Sequence, residues 1–138
     1  MDFYAEAMFR SLGPRIMRMK ADVLLPVPVH PSRMKTRGFN QAQELAVRLS
    51  EKLGIPVNST ILRRSKKTAP QKSLDPSGRL KNLEQAFMAD HLPPYIHSVI
   101  LVDDIYTTGS TIEACTRILK KAGIERVYFI TIFIGNGQ

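Results

Sequence analysis

Tryptophan is absent from this chain, cysteine occurs once, and no apolar run approaches the ~20 residues that a membrane-spanning helix needs. A single cysteine, Cys115, excludes an internal disulfide and any cysteine-based zinc site. It falls in the pattern Ile112, Cys115, Ile118, Leu119, Ala122, where a small buried apolar residue is expected. The N-terminus lacks the basic head and apolar stretch of a secretory signal. A cytoplasmic address is the resulting expectation. Acidic residues are also scarce, 12 Asp and Glu against 20 Lys and Arg, for a formal net charge of +8. The 138 residues, 43% of them hydrophobic, predict one globular domain spanning 1–138 with a core of its own.

The positive charge is concentrated. Arg33, Lys35 and Arg37 form one cluster, and Arg63, Arg64, Lys66, Lys67, Lys72, Arg79 and Lys81 form another. Half of the Lys and Arg therefore sit in two short segments. Cations gathered on loops point to an anionic partner, either a pyrophosphate-bearing metabolite or nucleic acid; a plain solvated surface is the alternative.

Hydrophobic periodicity and punctuation predict an alternating α/β order. An N-terminal helical segment covers 1–20, with Phe3, Ala7, Leu12, Ile16 and Met19 on one side and a break or kink at Gly13-Pro14. The next element is a strand over Asp22–Val29. A helix over Asn40–Leu53 is stopped by Gly54 and Pro56. Val57–Leu62 reads as a strand, and Arg63–Gly78 as a flexible basic loop punctuated by Pro70, Pro76 and Gly78. A short helix over Arg79–Glu84 and a strand over Gln85–Ala89 come next. Val99–Asp103 and Val127–Ile134 are the last two strands, joined by a helix over Thr111–Ala122.

The most informative stretch is Val99-Ile-Leu-Val-Asp-Asp-Ile-Tyr-Thr-Thr-Gly-Ser-Thr111. Its unbroken apolar start suits a parallel strand covered on both faces. Asp103 and Asp104 then stand where α/β sheets bind ligands. Carboxylates accept hydrogen bonds and cannot donate them, so they suit ribose hydroxyls or a magnesium shell and would repel a bare phosphate. A phosphate belongs further on, over Thr107, Thr108, Gly109, Ser110 and Thr111, where backbone N–H groups and the next helix start favour an anion. An isolated Asp-Asp pair would mark only a strand end, and Ser110 or Thr111 only a cap. The whole run in order is what predicts a pocket for a molecule such as ribose 5-phosphate.

Strand, two acids and Thr-Thr-Gly-Ser-Thr, in that order, resemble the phosphoribosyl-pyrophosphate (PRPP) signature of the type I phosphoribosyltransferases. Two further segments extend the resemblance: Leu25-Pro-Val-Pro-Val-His-Pro-Ser-Arg-Met-Lys-Thr-Arg-Gly-Phe-Asn-Gln-Ala-Gln-Glu-Leu-Ala46, and Leu62-Arg-Arg-Ser-Lys-Lys-Thr-Ala-Pro-Gln-Lys-Ser-Leu74 with Arg79, Asn82 and Ala86-Phe87 after it. Together they resemble the ComF family of phosphoribosyltransferase-like proteins linked to natural competence, from about Ala21 to Ile132.

The resemblance implies a type I phosphoribosyltransferase fold, an α/β domain with a mainly parallel central sheet flanked by helices. It implies PRPP as ligand with Mg²⁺ as cofactor, the ribose and indirectly the metal held by Asp103 and Asp104, and the 5′-phosphate by Thr107–Thr111. The turn carrying Val29, His30, Arg33 and Arg37 would receive pyrophosphate, a task for which the planar Arg fork is suited. Arg64, Lys66, Lys67 and Gln71 would lie on a flexible loop that closes over the ligand. As an enzyme, such a protein would pass phosphoribosyl to a nitrogen nucleophile. The alternative it carries is a competence-associated accessory protein, its pocket kept for binding or regulation, with single-stranded DNA, a competence helicase and a second copy of the chain as partners.

Two departures accompany it. Thr107 stands where hypoxanthine-type enzymes carry an Asp, which argues against that purine chemistry. The cysteine-rich zinc module of many ComF proteins has no counterpart here, so the expectation is a short or processed family member with a reduced hood.

Overall fold

The computed structural model describes residues 1–28, 40–65, 76–89, 92–106 and 108–134. A first helix, α1 (Asp2–Arg18), leads into the short strand β1 (Val23–Pro26). Next come helix α2 (Gln41–Leu53) and strand β2 (Leu62–Arg64), then helix α3 (Pro76–Ala86) and strand β3 (Phe87–Ala89). Strand β4 (Ser98–Tyr106), helix α4 (Ser110–Lys121) and strand β5 (Arg126–Ile134) complete the order. Strands β1, β4 and β5 form a parallel sheet in the order β1-β4-β5, while β2 and β3 pair antiparallel as a separate ribbon.

The central strand β4 is apolar on both faces because each face is covered. Val99 and Leu101 belong to one core with Ile112, Cys115 and Leu119 of α4 and with Leu62 and Phe87 of the ribbon. Ile100 and Val102 belong to the other, with Leu45, Ala46 and Leu49 of α2 and Ile16 of α1. Helix α2 owes its limits to its ends. The Asn40 carboxamide accepts from the Gln43 N–H at 3.2 Å, and Gly54 closes the helix in the left-handed region at φ 76°.

Several boundaries differ from the sequence expectations. Helix α1 runs on through Gly13-Pro14 instead of breaking, and its buried face is Ala5, Gly13 and Ile16. Phe3, predicted to face inward, is 77% exposed; docking on α2 orients the helix, with Arg48 paired to Asp2 and Lys52 to Glu6. The strand expected over Val57–Leu62 is split into a single bridge from Val57 to Leu24 and the start of β2 at Leu62. Asn58 is the cause: its side-chain oxygen accepts from the N–H groups of Thr60 (2.8 Å) and Ile61 (2.9 Å) and turns the chain. The segment predicted as a flexible loop over 63–78 begins in β2 and ends in α3; its residues 66–75 lie outside the described set. Strand β4 continues past Asp103 to Tyr106, because β5 pairs with it as far as Ile134.

Candidate functional site

Connections on the two sides of β1 and β4 run in opposite directions. After β1 the chain crosses one face of the sheet through α2 and reaches Val57, which bridges the outer side of β1. After β4 it crosses the other face through α4 and reaches β5. The junction between β1 and β4 is therefore a topological switch point, and the crevice at the carboxyl ends of these strands is where open α/β sheets place ligands. The register sets Pro26 beside Val102, and the Val27 N–H donates to the Val102 carbonyl at 2.8 Å. Both strands thus point their carboxyl ends to one end of the sheet.

Asp103 and Asp104 stand at that end, both partly buried. Asp103 continues the row of Val99 and Leu101 toward α4, and its side-chain oxygen accepts from the Asp104 N–H at 2.9 Å. Its charge reaches the Cys115 thiol. Burial pushes that thiol up to about 12, Asp103 adds to the rise, and Arg64 acts against it. Arg64 and Asp103 thus both act on one buried sulfur, and Leu62 and Phe87 of the β2–β3 ribbon pack in the same core as Cys115.

Beyond Tyr106 the chain turns into α4. Gly109 is the N-cap, at φ 83° and ψ −2°, and its carbonyl accepts the Glu113 N–H at 2.9 Å. The Thr108 hydroxyl accepts from the Ser110 N–H at 3.3 Å and donates to the Ser110 hydroxyl at 2.9 Å. The N–H groups of Thr111 and Ile112 have no intrahelical acceptor, as at any helix start. A glycine in the left-handed region, hydroxyls and the positive end of α4 form a donor-rich turn suited to an anion.

The structure thus brings Asp103, Asp104, Thr108, Gly109, Ser110 and Thr111 into one connection. Thr107 lies outside the described residues, as do Val29, His30, Arg33 and Arg37 of the expected pyrophosphate turn. Lys66, Lys67 and Gln71 fall outside them too. Arg64, predicted on a flexible loop, is instead on strand β2, with its guanidinium 4.5 Å from the Phe87 ring centroid. Sequence reasoning assigns Tyr106 no role. Its ring stacks on Phe129, with centroids 5.5 Å apart and planes 9° from parallel. An aromatic residue directly before a hydroxyl-glycine turn was the available signal.

Among the described residues, no three His, Cys, Asp or Glu side chains converge on a metal position. The hard oxygens of Asp103 and Asp104 still fit Mg²⁺, which beside phosphates takes one or two carboxylates and completes its shell with water and ligand oxygens. No helix among those residues is long and apolar enough to cross a membrane. Two apolar clefts of about 270 and 210 Å³ lie between α1 and β5, and Arg15 is the sole ionisable group besides Tyr4 among their lining residues.

The sequence profile of the phosphoribosyl transferase domain matches residues 34–138. The chain is 38% identical over 109 residues to competence protein F of Haemophilus influenzae, covering 77% of this chain and 47% of that protein. It is 30% identical over 127 residues to competence protein ComFC of Streptococcus pneumoniae, covering 91% and 54% respectively. The chain spans about half the length of these curated relatives. Its fold is similar to a purine phosphoribosyltransferase from Pyrococcus horikoshii, with a TM-score of 0.58 and 19% identity over 96% of this chain and 73% of that one. With the switch-point crevice and the Asp-Asp to Gly109 connection, these likenesses assign a type I phosphoribosyltransferase fold: the chain belongs to the phosphoribosyl transferase domain family, as a homologue of competence proteins F and ComFC.

Proposed function

We propose that this chain binds PRPP at the carboxyl ends of β1 and β4 and transfers its phosphoribosyl group to a nitrogen nucleophile. The observation that carries the reading is the spacing along one connection: two partly buried carboxylates, then a left-handed glycine opening a helix. Asp103 and Asp104 accept from the ribose hydroxyls, while the turn from Thr108 to Thr111 donates to the 5′-phosphate. In the reaction the bond from C1 of the ribose to pyrophosphate oxygen breaks, a bond from nitrogen to C1 forms, and pyrophosphate leaves. The nucleophile's proton passes to solvent or to the departing pyrophosphate. Mg²⁺ bound near Asp103 and Asp104 would supply charge neutralisation for the leaving group. The protein's own contribution is positioning and electrostatics, with Arg64, whose charge acts on the same buried thiol as Asp103, as the candidate cation.

Calorimetry with PRPP and Mg²⁺ on the native chain and on the Asp103→Ala/Asp104→Ala variant tests this. Tight binding to the native chain and a large loss in the variant are expected. Equal affinity in both would remove the carboxylates from the site.

The relatives' names and the net charge of +8 favour a second reading, in which the pocket serves regulation and the chain handles single-stranded DNA during uptake. Phosphate-driven binding weakens steeply as salt rises. Titrating an oligonucleotide at several salt concentrations separates the two readings, and no binding at low salt would end the second.

A further inference from the structure

The β4–α4 connection contains one large side chain that neither function uses. Tyr106 leaves the last position of β4, and its ring lies flat against Phe129 of β5. The phenol end of that ring meets the turn. A Cβ placed on residue 109 would lie 2.5 Å from the Tyr106 hydroxyl oxygen, 3.0 Å from Cζ and 3.3 Å from Cε2. The phenol edge is thus pressed against the backbone at the residue whose left-handed conformation starts α4.

We propose that Tyr106 is a positioning residue for the phosphate turn. Its ring, wedged between Phe129 and Gly109, holds the Gly109–Thr111 backbone in the anion-binding arrangement before the ligand arrives. The proposal rests on the assignment of the 5′-phosphate to this turn. A turn built of threonine, glycine and serine is conformationally soft, and ordering it on binding would weaken affinity; a ring fixed by a stacked partner removes much of that loss in advance. The aromatic pair also ties the turn to β5, so the site is braced from the edge of the sheet. Glycine at 109 meets two demands at once, a positive φ and room for the phenol edge.

The test uses ribose 5-phosphate by calorimetry, PRPP with Mg²⁺ as a second ligand, and amide hydrogen exchange on the full chain. Tyr106→Ala should lower affinity for both ligands by about tenfold, equivalent to about 1.4 kcal/mol. Phe129→Ala should lower it by about three- to tenfold, in line with the loss of one stacked aromatic pair. Tyr106→Phe, which keeps the ring, should restore binding to within about threefold of the native value, less than 1 kcal/mol. In Tyr106→Ala the amides of Ser110 and Glu113, which donate to the Thr108 hydroxyl and the Gly109 carbonyl, should exchange faster while those of Ile100 and Val102 stay as protected as before; a merely structural defect would loosen all four. Asp103→Asn should weaken binding without changing exchange at the turn. If the native chain binds and Tyr106→Ala binds equally well with unchanged exchange, the positioning role is overturned and the phosphate assignment stands. A native chain that binds neither ligand overturns both.

Discussion

The Tyr106 hydroxyl oxygen stands 2.5 Å from the point where a side chain on residue 109 would begin, so the glycine and the tyrosine occupy one volume between them. Gly109→Ala would impose a left-handed alanine, costing roughly 1–2 kcal/mol, and would push the phenol off its seat on Phe129. Urea denaturation should register that loss or more, and PRPP affinity should fall with it. Unchanged stability together with unchanged affinity would contradict the arrangement.

Asp22 ties the start of β4 to β1, its carboxylate accepting from the N–H groups of His97 at 2.8 Å and Ser98 at 3.0 Å. These backbone donors, His97 first, hold its carboxyl below the ordinary value of 3.8. A depressed carboxylate contributes stability that is complete above the ordinary value and disappears as pH falls through the lower folded one. Asp22→Ala should therefore cost about 1–2 kcal/mol at pH 6, with the gap to the native chain closing below pH 3.8. Urea midpoints at pH 6 and at progressively lower pH measure it; a gap that widens on acidification would reverse the assigned sign.

Cys115 is wholly buried, and its thiol is pushed up to about 12, chiefly by burial and then by Asp103. Thiolate is the reactive form, so a disulfide reagent at pH 8 should label the folded chain very slowly. In denaturant the same residue should react at the rate of a free thiol. Rapid stoichiometric labelling of the native protein would show that α4 opens readily or that the sulfur is not enclosed.

Arg64 lies over Phe87 and shares with Asp103 an influence on the Cys115 thiol. Arg64→Met keeps the aliphatic packing and removes the charge. Loss of the cation–π contact should cost about 0.5–1 kcal/mol of stability. PRPP affinity should drop several-fold, and the loss should shrink as salt rises. A variant binding as tightly as the native chain at low salt would take Arg64 out of the pocket.

Much of the fold was legible because local chemistry dictates it. The Asn40 cap and the Gly54 stop bound α2 within a residue of the expected limits, since both act through their own backbone. The apolar run through Val102 announced a strand covered on both sides. The candidate site was legible in part for the same reason: the acids and the hydroxyl-glycine turn are contiguous in the chain, so their order alone places them one after the other from β4 into α4. Where a distant neighbour decides, local pattern failed. Phe3 faces outward because α2 orients α1, and Arg64 became part of a strand because Phe87 pairs with it.

By itself the sequence determined the α/β order, the buried central strand, and the contiguity of the two acids with the hydroxyl-glycine run from Asp103 to Thr111. Each depends on residues within a few positions of one another. Tertiary structure alone decided that α2 and α4 cover opposite faces, which makes the junction of β1 and β4 a topological switch point. It alone extended β4 to Tyr106, because β5 supplies the pairing, and set that ring between Phe129 and Gly109. Those relationships join residues that only the folded sheet brings together, where pairing across strands and exclusion of volume act without regard to sequence distance.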